Sequence, residues 1–335
     1  MKRLVPLALA AAVAVTPNAA FAWGAAGHRL VGRLAAQALP ADMPAFLRSK
    51  KGIEEIGELS RELDRSKGAG KLHDSDRDAA HFVDVHDDGT ILGGPPFLPM
   101  PATRAEYETA LAAHKLDTAK AGYLHLAIVD RWQQLTSDLA YWRVLKAAEG
   151  NPKWKKHRAW FKADRQRREA LILHSIGELS HLVADGSQPL HTSTHYNGWG
   201  DYPNPQGFTT ARIHGSFEGD LVRDRVDPRT VASRLPAPRS CNCAIEQRVA
   251  EYLTATNKLV VPLYELEKSG GLAQGDPRGP AFAAERLGAG AAELRDLIAE
   301  AWTASATRKV GWRPVAVQDV VAGKVDPYPA MYGID

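Results

Sequence analysis

Cysteine is almost missing from this chain. Two occur in 335 residues, both in Cys241-Asn242-Cys243, which excludes a disulfide framework and a thiolate-built structural zinc site. The pair reads as a small local staple or as two thiols, and the spacing leaves both open. Charge of one sign is also scarce. The formal net charge is +3, and removing Lys2 and Arg3 with a leader would take it to +1, a balance that forecasts no particular partner. The apolar run at residues 4–15 is too short to span a membrane. Strand-like two-residue alternation, internal repeats, a Ser- or Gly-rich linker and a His-rich tract are all missing. The absence of a His-rich tract argues mildly against a non-enzymatic extracytoplasmic zinc binder.

What is present begins at the N-terminus. Lys2 and Arg3, the apolar run and Ala20-Phe21-Ala22 form the pattern of a secretory signal peptide cut after Ala22. The expected location is periplasmic or secreted. The mature chain, residues 23–335, would start at Trp23. Its new α-amine, with a reference pKa of about 7.7–8.0, could act with its own carbonyl as a nitrogen–oxygen chelate. His28 lies five residues on. Read alone, Trp23 is a core residue and His28 opens a helix.

Helical periodicity covers residues 30–39, 53–63, 107–148, 165–182, 246–266 and 281–301, all rich in Ala, Leu, Glu and Arg. Residues 87–101 and 196–207 are turn-rich loops, and the tail after Arg308 reads as irregular chain laid over the body. The expected fold is all-α, a single-domain multi-helix bundle with long irregular loops.

The middle of the chain carries a dense run of oxygen and nitrogen donors. His181 and Asp185 are four apart, as are His214 and Glu218, and His191 follows Gln188-Pro189-Leu190. On a helix, residues four apart share a face, so each pair can aim two donors at one point. Pro189 is expected to end the first helix. Imidazole and carboxylate without thiolate is the donor set of a catalytic zinc site. His81 and Asp64 are further candidates, and Asp74, Asp76 and Asp78 rival Asp64.

Together these residues resemble the zinc-dependent, single-strand-specific nucleases with 3'-nucleotidase activity, which share a superfamily with the bacterial zinc phospholipases C. The resemblance runs from Trp23 to Glu218. Its most specific part is the segment from His181 through Asp185 and Gln188-Pro189-Leu190 to His191. It implies a phospholipase C/nuclease-like helical fold and three zinc ions. One ion would take Asp64, His81, His181 and Asp185. A second would take the amine and carbonyl of Trp23, with His28 and a bridging Asp185. A third would take His191, His214 and Glu218. It further implies hydrolysis of single-stranded DNA or RNA to 5'-phosphorylated products by metal-activated hydroxide. Asp185 would bridge and Asp64 would orient the water, the two catalytic carboxylates.

The sequence departs from the nuclease pattern at Glu62-Leu63-Asp64-Arg65-Ser66-Lys67. There Lys67 replaces a phosphate-binding arginine and keeps the charge without the bidentate fork. Glu218 stands where the nucleases usually carry Asp and the phospholipases Glu. The resemblance assigns the nucleobase to Phe82 for stacking and Asp84 for hydrogen bonding, although a core Phe and a helix-capping Asp would look the same. Eight cations between Lys153 and Arg168 interleave with Trp154, Trp160 and Phe161. They read as a solvated helix face or as a track for a phosphate backbone. The substrate is expected to be single-stranded nucleic acid or nucleotides, with phospholipid the alternative. A non-enzymatic zinc binder is the third reading. No stable protein partner is implied, and the chain is read as a monomer.

Overall fold

A computed structural model describes residues 23–333. The leader expected at residues 1–22 lies outside them. The described chain is mostly helical, with one antiparallel pair of two-residue strands, Lys309–Val310 and Val315–Ala316. No described helix is long and apolar enough to cross a membrane.

Two long helices, Leu124–Gly150 and Arg158–Ser187, pack along one another across the short turn Pro152–His157. Such a short connection makes neighbouring helices antiparallel. Helices Gly24–Gln37, Lys50–Leu59 and Arg278–Ser305 pack against this pair, burying side chains such as Val31, Ile56, Ile176 and Leu294. The 30-residue Arg158–Ser187 helix is about 45 Å long. Its C-terminal third is buried all round, so a donor placed there sits in the middle of the protein.

The breaks between elements have local causes. Residues 107–148 read as one helix but form three: Arg104–Ala113, Thr118–Ala121 and Leu124–Gly150. Asp117 caps the second through Lys120 N. Gly122, at φ 72°, ends it where a Cβ would strike the Phe82 carbonyl. Residues 246–266 split into Ile245–Asn257 and Val260–Lys268, because Pro262 has no N–H and its ring would clash with the carbonyl four residues earlier. Residues 53–63 split at Ser60. The tail after Arg308 is more ordered than expected: the strand pair and the short helices Val317–Val321 and Tyr328–Tyr332 cover a second apolar cluster around Val144, Trp154, Phe161 and Val320. Cys241 and Cys243 are joined in a disulfide, which resolves the two readings of that pair.

His125, at the start of its long helix, is fully buried with its ring edge-on to Tyr107 (4.7 Å) and Phe97 (5.5 Å). Neither ring nitrogen has a hydrogen-bond partner, and burial lowers its pKa to about 3. An unsatisfied buried polar group costs about 1–3 kcal/mol, so His125→Phe is expected to stabilise the protein by that order. The unfolded chain takes up the imidazole proton near pH 6.5 and the folded chain near 3. The native histidine therefore loses stability as pH falls between those values, by about 1.4 kcal/mol per unit. Urea unfolding at pH 7 and pH 5 checks both points: the gain from His125→Phe must be larger at pH 5, and an equal or smaller gain there refutes the assignment.

Candidate metal centre

The donor-rich run converges. Three groups of ligand atoms lie within 4.8 Å of one another: His28, His181 and Asp185; Asp64, His81 and His181; His191, His214 and Glu218. These clusters could hold metal ions. They contain every side-chain ligand read from the sequence.

The helix Arg158–Ser187 supplies His181 and Asp185 from its last turns, and Gln188-Pro189 ends it as expected. The following turn, Pro189–His191, brings His191 back toward His81, and Val83 N–H donates to the His191 carbonyl (2.9 Å). His214 and Glu218 meet through an i,i+4 contact of 2.8 Å. The chain here passes into a π-helix, Ser216–Leu221, a form that recurs at functional sites. Asp64 comes from the short helix Glu62–Arg65. Its three rivals lie elsewhere: Asp74 accepts from the backbone N–H groups of Gly68 and Gly70, Asp76 pairs with Arg104, and Asp78 joins none of the three clusters.

The imidazoles are aimed by the backbone. His181 Nδ1–H donates to the Ser60 carbonyl (2.9 Å), His191 Nδ1–H to that of His81 (2.7 Å), and His214 Nδ1–H to that of Tyr196 (2.7 Å). A carbonyl only accepts, so each Nδ1 carries the proton. In the neutral ring, Nε2 then keeps its lone pair. Those lone pairs point inward. His191 Nε2 and His214 Nε2 are 3.1 Å apart, with Glu218 Oε2 at 3.4 and 2.8 Å. His181 Nε2 lies 3.0 Å from His81 Nδ1 and 3.4 Å from Asp185 Oδ2. His28 stacks on His181 at 3.9 Å, with its Nε2 3.5 Å from Asp185 Oδ1. Locking one ring nitrogen onto a carbonyl while the other faces a shared point is the usual outer support of a metal-bound histidine.

The electrostatics agree with a site built for cations. Burial, then the neighbouring imidazoles, hold His81 well below its ordinary range. Burial brings His181 to about 3 and also lowers His191. Burial and then the charge of Asp64 push Asp185 well above the carboxylate range. At Glu218 the burial effect is outweighed by His214 and His191, which leave it at about 2. His214 rises, because Glu218 outweighs burial there. Asp185 Oδ1 and Glu218 Oε1 are buried without a hydrogen-bond partner, an expense that a cation would remove. Buried imidazoles and carboxylates with orphaned oxygens are a donor set that fits borderline divalent metals such as zinc.

Trp23 is fully buried and caps helix Gly24–Gln37 from a left-handed conformation, φ 33°. Its indole N–H donates to the Ala184 carbonyl (2.7 Å) and to Ser187 Oγ (2.9 Å). That anchor fixes its backbone beside the turn that carries Asp185. Its carbonyl also accepts from Gly27 N (3.1 Å), which leaves one lone pair for a second role. Lys67 Nζ is 2.7 Å from Asp64 Oδ1, so the lysine sits inside the centre. Phe82 is half-buried beside Gly122. Asp84 is 7% exposed, and burial raises its carboxyl to about 8. A carboxyl that keeps its proton at neutral pH can donate as well as accept.

Several supports escaped the sequence reading. Gln188 is buried, donates to Glu218 Oε2 (3.2 Å) and accepts from Leu190 N (2.7 Å). Ser60 and Tyr196 orient their imidazoles through backbone carbonyls, which no side-chain pattern reveals. His195 is buried against Trp199 (3.7 Å), with Nδ1 2.8 Å from the Trp199 carbonyl and Nε2 3.1 Å from Asp87. It pins the 196–207 loop that carries the Tyr196 carbonyl. Beside the centre, a cavity of about 740 Å³ is bounded by Glu62, Ser66 and His81, with Arg77, Arg104 and Arg131 on its walls. Comparison with family models, curated proteins and solved structures finds no match to this chain.

Proposed function

We propose that the chain is a secreted, zinc-dependent phosphodiesterase of the phospholipase C/nuclease-like helical type. It would hydrolyse single-stranded nucleic acid and 3'-nucleotides at a three-zinc centre. The observation that carries this reading is the inward convergence of His181, His191 and His214, each with Nδ1–H fixed on a carbonyl. His28, Asp185 and Trp23 would hold one ion, Asp64, His81, His181 and Asp185 another, and His191, His214 and Glu218 the third. Zinc would supply Lewis acidity and an acidified water, the requirement for hydrolysing a phosphodiester at neutral pH.

The remaining groups have roles of their own. Lys67 Nζ and Asp64 Oδ1 form an ion pair at 2.7 Å, which holds the ammonium at the edge of the centre. An incoming phosphate could take Lys67 as a partner in exchange. The cavity wall is of mixed charge: Arg77, Arg104 and Arg131 stand with Glu62, Asp76, Asp130 and Glu178, and Arg104 and Arg131 are paired with Asp76 and Glu178. Phe82 would meet a base on its exposed portion, and Asp84, carrying its proton, would donate to a base acceptor. The buried surroundings of the ligand side chains exclude bulk water and strengthen each of these contacts.

One purified, zinc-loaded sample assayed on single-stranded DNA, a 3'-mononucleotide and phosphatidylcholine tests the substrate class. Cleavage of the nucleic acid with 5'-phosphate products is expected. Cleavage of lipid alone would move the protein to the phospholipase side, and hydrolysis of none would leave a metal-binding protein.

A further inference from the structure

We propose that a cationic, aromatic surface at the far end of the long helices docks single-stranded nucleic acid and feeds longer strands to the metal centre. The proposal rests on the nuclease reading above. Trp160 and His181 lie on the same helix. The 21-residue step from Trp160 to His181 places this surface about 30 Å from the centre at ~1.5 Å per residue.

Three flat rings form a pile there. His157 stacks on Tyr328 (3.5 Å, 14° between planes), and Tyr328 on Tyr332 (5.0 Å, 19°). Trp160 closes one side, edge-on to Tyr328 and Tyr332. Tyr332, the outermost ring, is 56% exposed. Trp312 is 85% exposed, and its backbone N–H donates to the Ala330 carbonyl (3.2 Å), which places its backbone beside the same short helix. A pile of parallel rings with an open end is a platform that a base can extend.

The exposed charge near the rings is mostly positive, with Asp326, whose Oδ1 accepts from Tyr328 N (2.9 Å), as an acid beside them. Lys155, Lys156 and Arg158, which neighbour His157 in the chain, and Arg308, Lys309 and Arg313, which neighbour Trp312, are exposed. Among the described residues none of the six is in an ion pair. By contrast, Arg165, Arg167 and Arg168 in the neighbouring helix are taken up by Glu149 and Glu169, Asp164, and Asp138. Stacking rings flanked by unpaired cations fit a polyanion with π-faces, which is single-stranded nucleic acid. At ~3.4 Å per stacked nucleotide, a strand must exceed roughly nine nucleotides to reach both sites.

The test measures binding without cleavage. Fluorescein-labelled, phosphorothioate-linked dT4 and dT20 are titrated against the zinc-loaded protein by anisotropy at two salt concentrations. Trp312→Ala with Tyr332→Ala is expected to weaken dT20 binding at least about tenfold and to leave dT4 and the melting temperature unchanged. Lys155→Ala with Lys156→Ala is expected to lower the salt slope for dT20 by about one to two. A wild type that does not bind dT20, or variants that bind it unchanged, would overturn the proposal. So would loss of binding to phosphatidylglycerol vesicles with dT20 unaffected, which would make the surface a lipid contact. Failure of the nuclease reading is seen separately, as absence of cleavage of ordinary phosphodiester dT20.

Discussion

Asp185→Asn is expected to abolish metal retention at the two clusters that His181 joins and to reduce hydrolysis by about a thousandfold or more, equivalent to ~4 kcal/mol of transition-state stabilisation. Asp185 is fully buried, its Oδ2 is 3.0 Å from His81 and 3.4 Å from His181, and its Oδ1 faces His28 at 3.5 Å. Among the described residues, Asp185 is the one carboxylate grouped with His28 in the three clusters. The stability effect should change sign with metal. Without metal, Asp185 has its carboxyl pushed well above the ordinary range by burial, so it is destabilising to ionise. A neutral amide of the same shape should then be neutral or stabilising. With metal, the amide supplies a weaker ligand and the loaded protein should melt lower than wild type. Thermal melts of both proteins, with zinc and with chelator, read both signs. A variant that is less stable in chelator and unchanged in zinc would show that Asp185 serves only the fold.

The second large effect concerns the N-terminus. A chain that retains Ala22 should lose most of its activity and one metal ion. Peptide linkage turns the Trp23 nitrogen from an amine, with a lone pair near neutral pH, into an amide that cannot ligate. The indole anchor on Ala184 and Ser187 is unaffected, so the fold should survive and the melting temperature in chelator should match the processed protein. Full activity with a full metal count would remove the terminal amine from the ligand set. Expression with and without a single N-terminal Ala, each verified by mass, gives the comparison.

Much of the centre was legible because its donors obey helix geometry. His181 with Asp185, and His214 with Glu218, are side by side because residues four apart must be. His191 is in place because Pro189 ends the helix where the sequence says it should. The choice of Asp64 over Asp74, Asp76 and Asp78 was not legible from spacing. Tertiary packing makes it: the break at Ser60, with Gly32 pressed against that residue, sets the Glu62–Arg65 turn beside His81 and His181. The carbonyls that orient three imidazoles carry no side-chain signature, and Gln188 reads as a loop residue until Glu218 is found beside it. In the fold, periodicity ran through the interruptions at residues 114–123 and 258–259. Their local signals, Asp117, Gly122 and Pro262, are each weak beside long apolar repeats. The tail after Arg308 has too few periodic residues to announce its strand pair, yet it covers an apolar end of the helix pair that must be buried.

The central claim is a count. Protein prepared to begin at Trp23 is loaded with zinc, freed of excess ion and analysed by inductively coupled plasma mass spectrometry against an amino-acid-based concentration. The account predicts three zinc ions per chain, falling to one for Asp185→Asn. A wild-type value of one or none would contradict it, whatever substrate the protein proved to take.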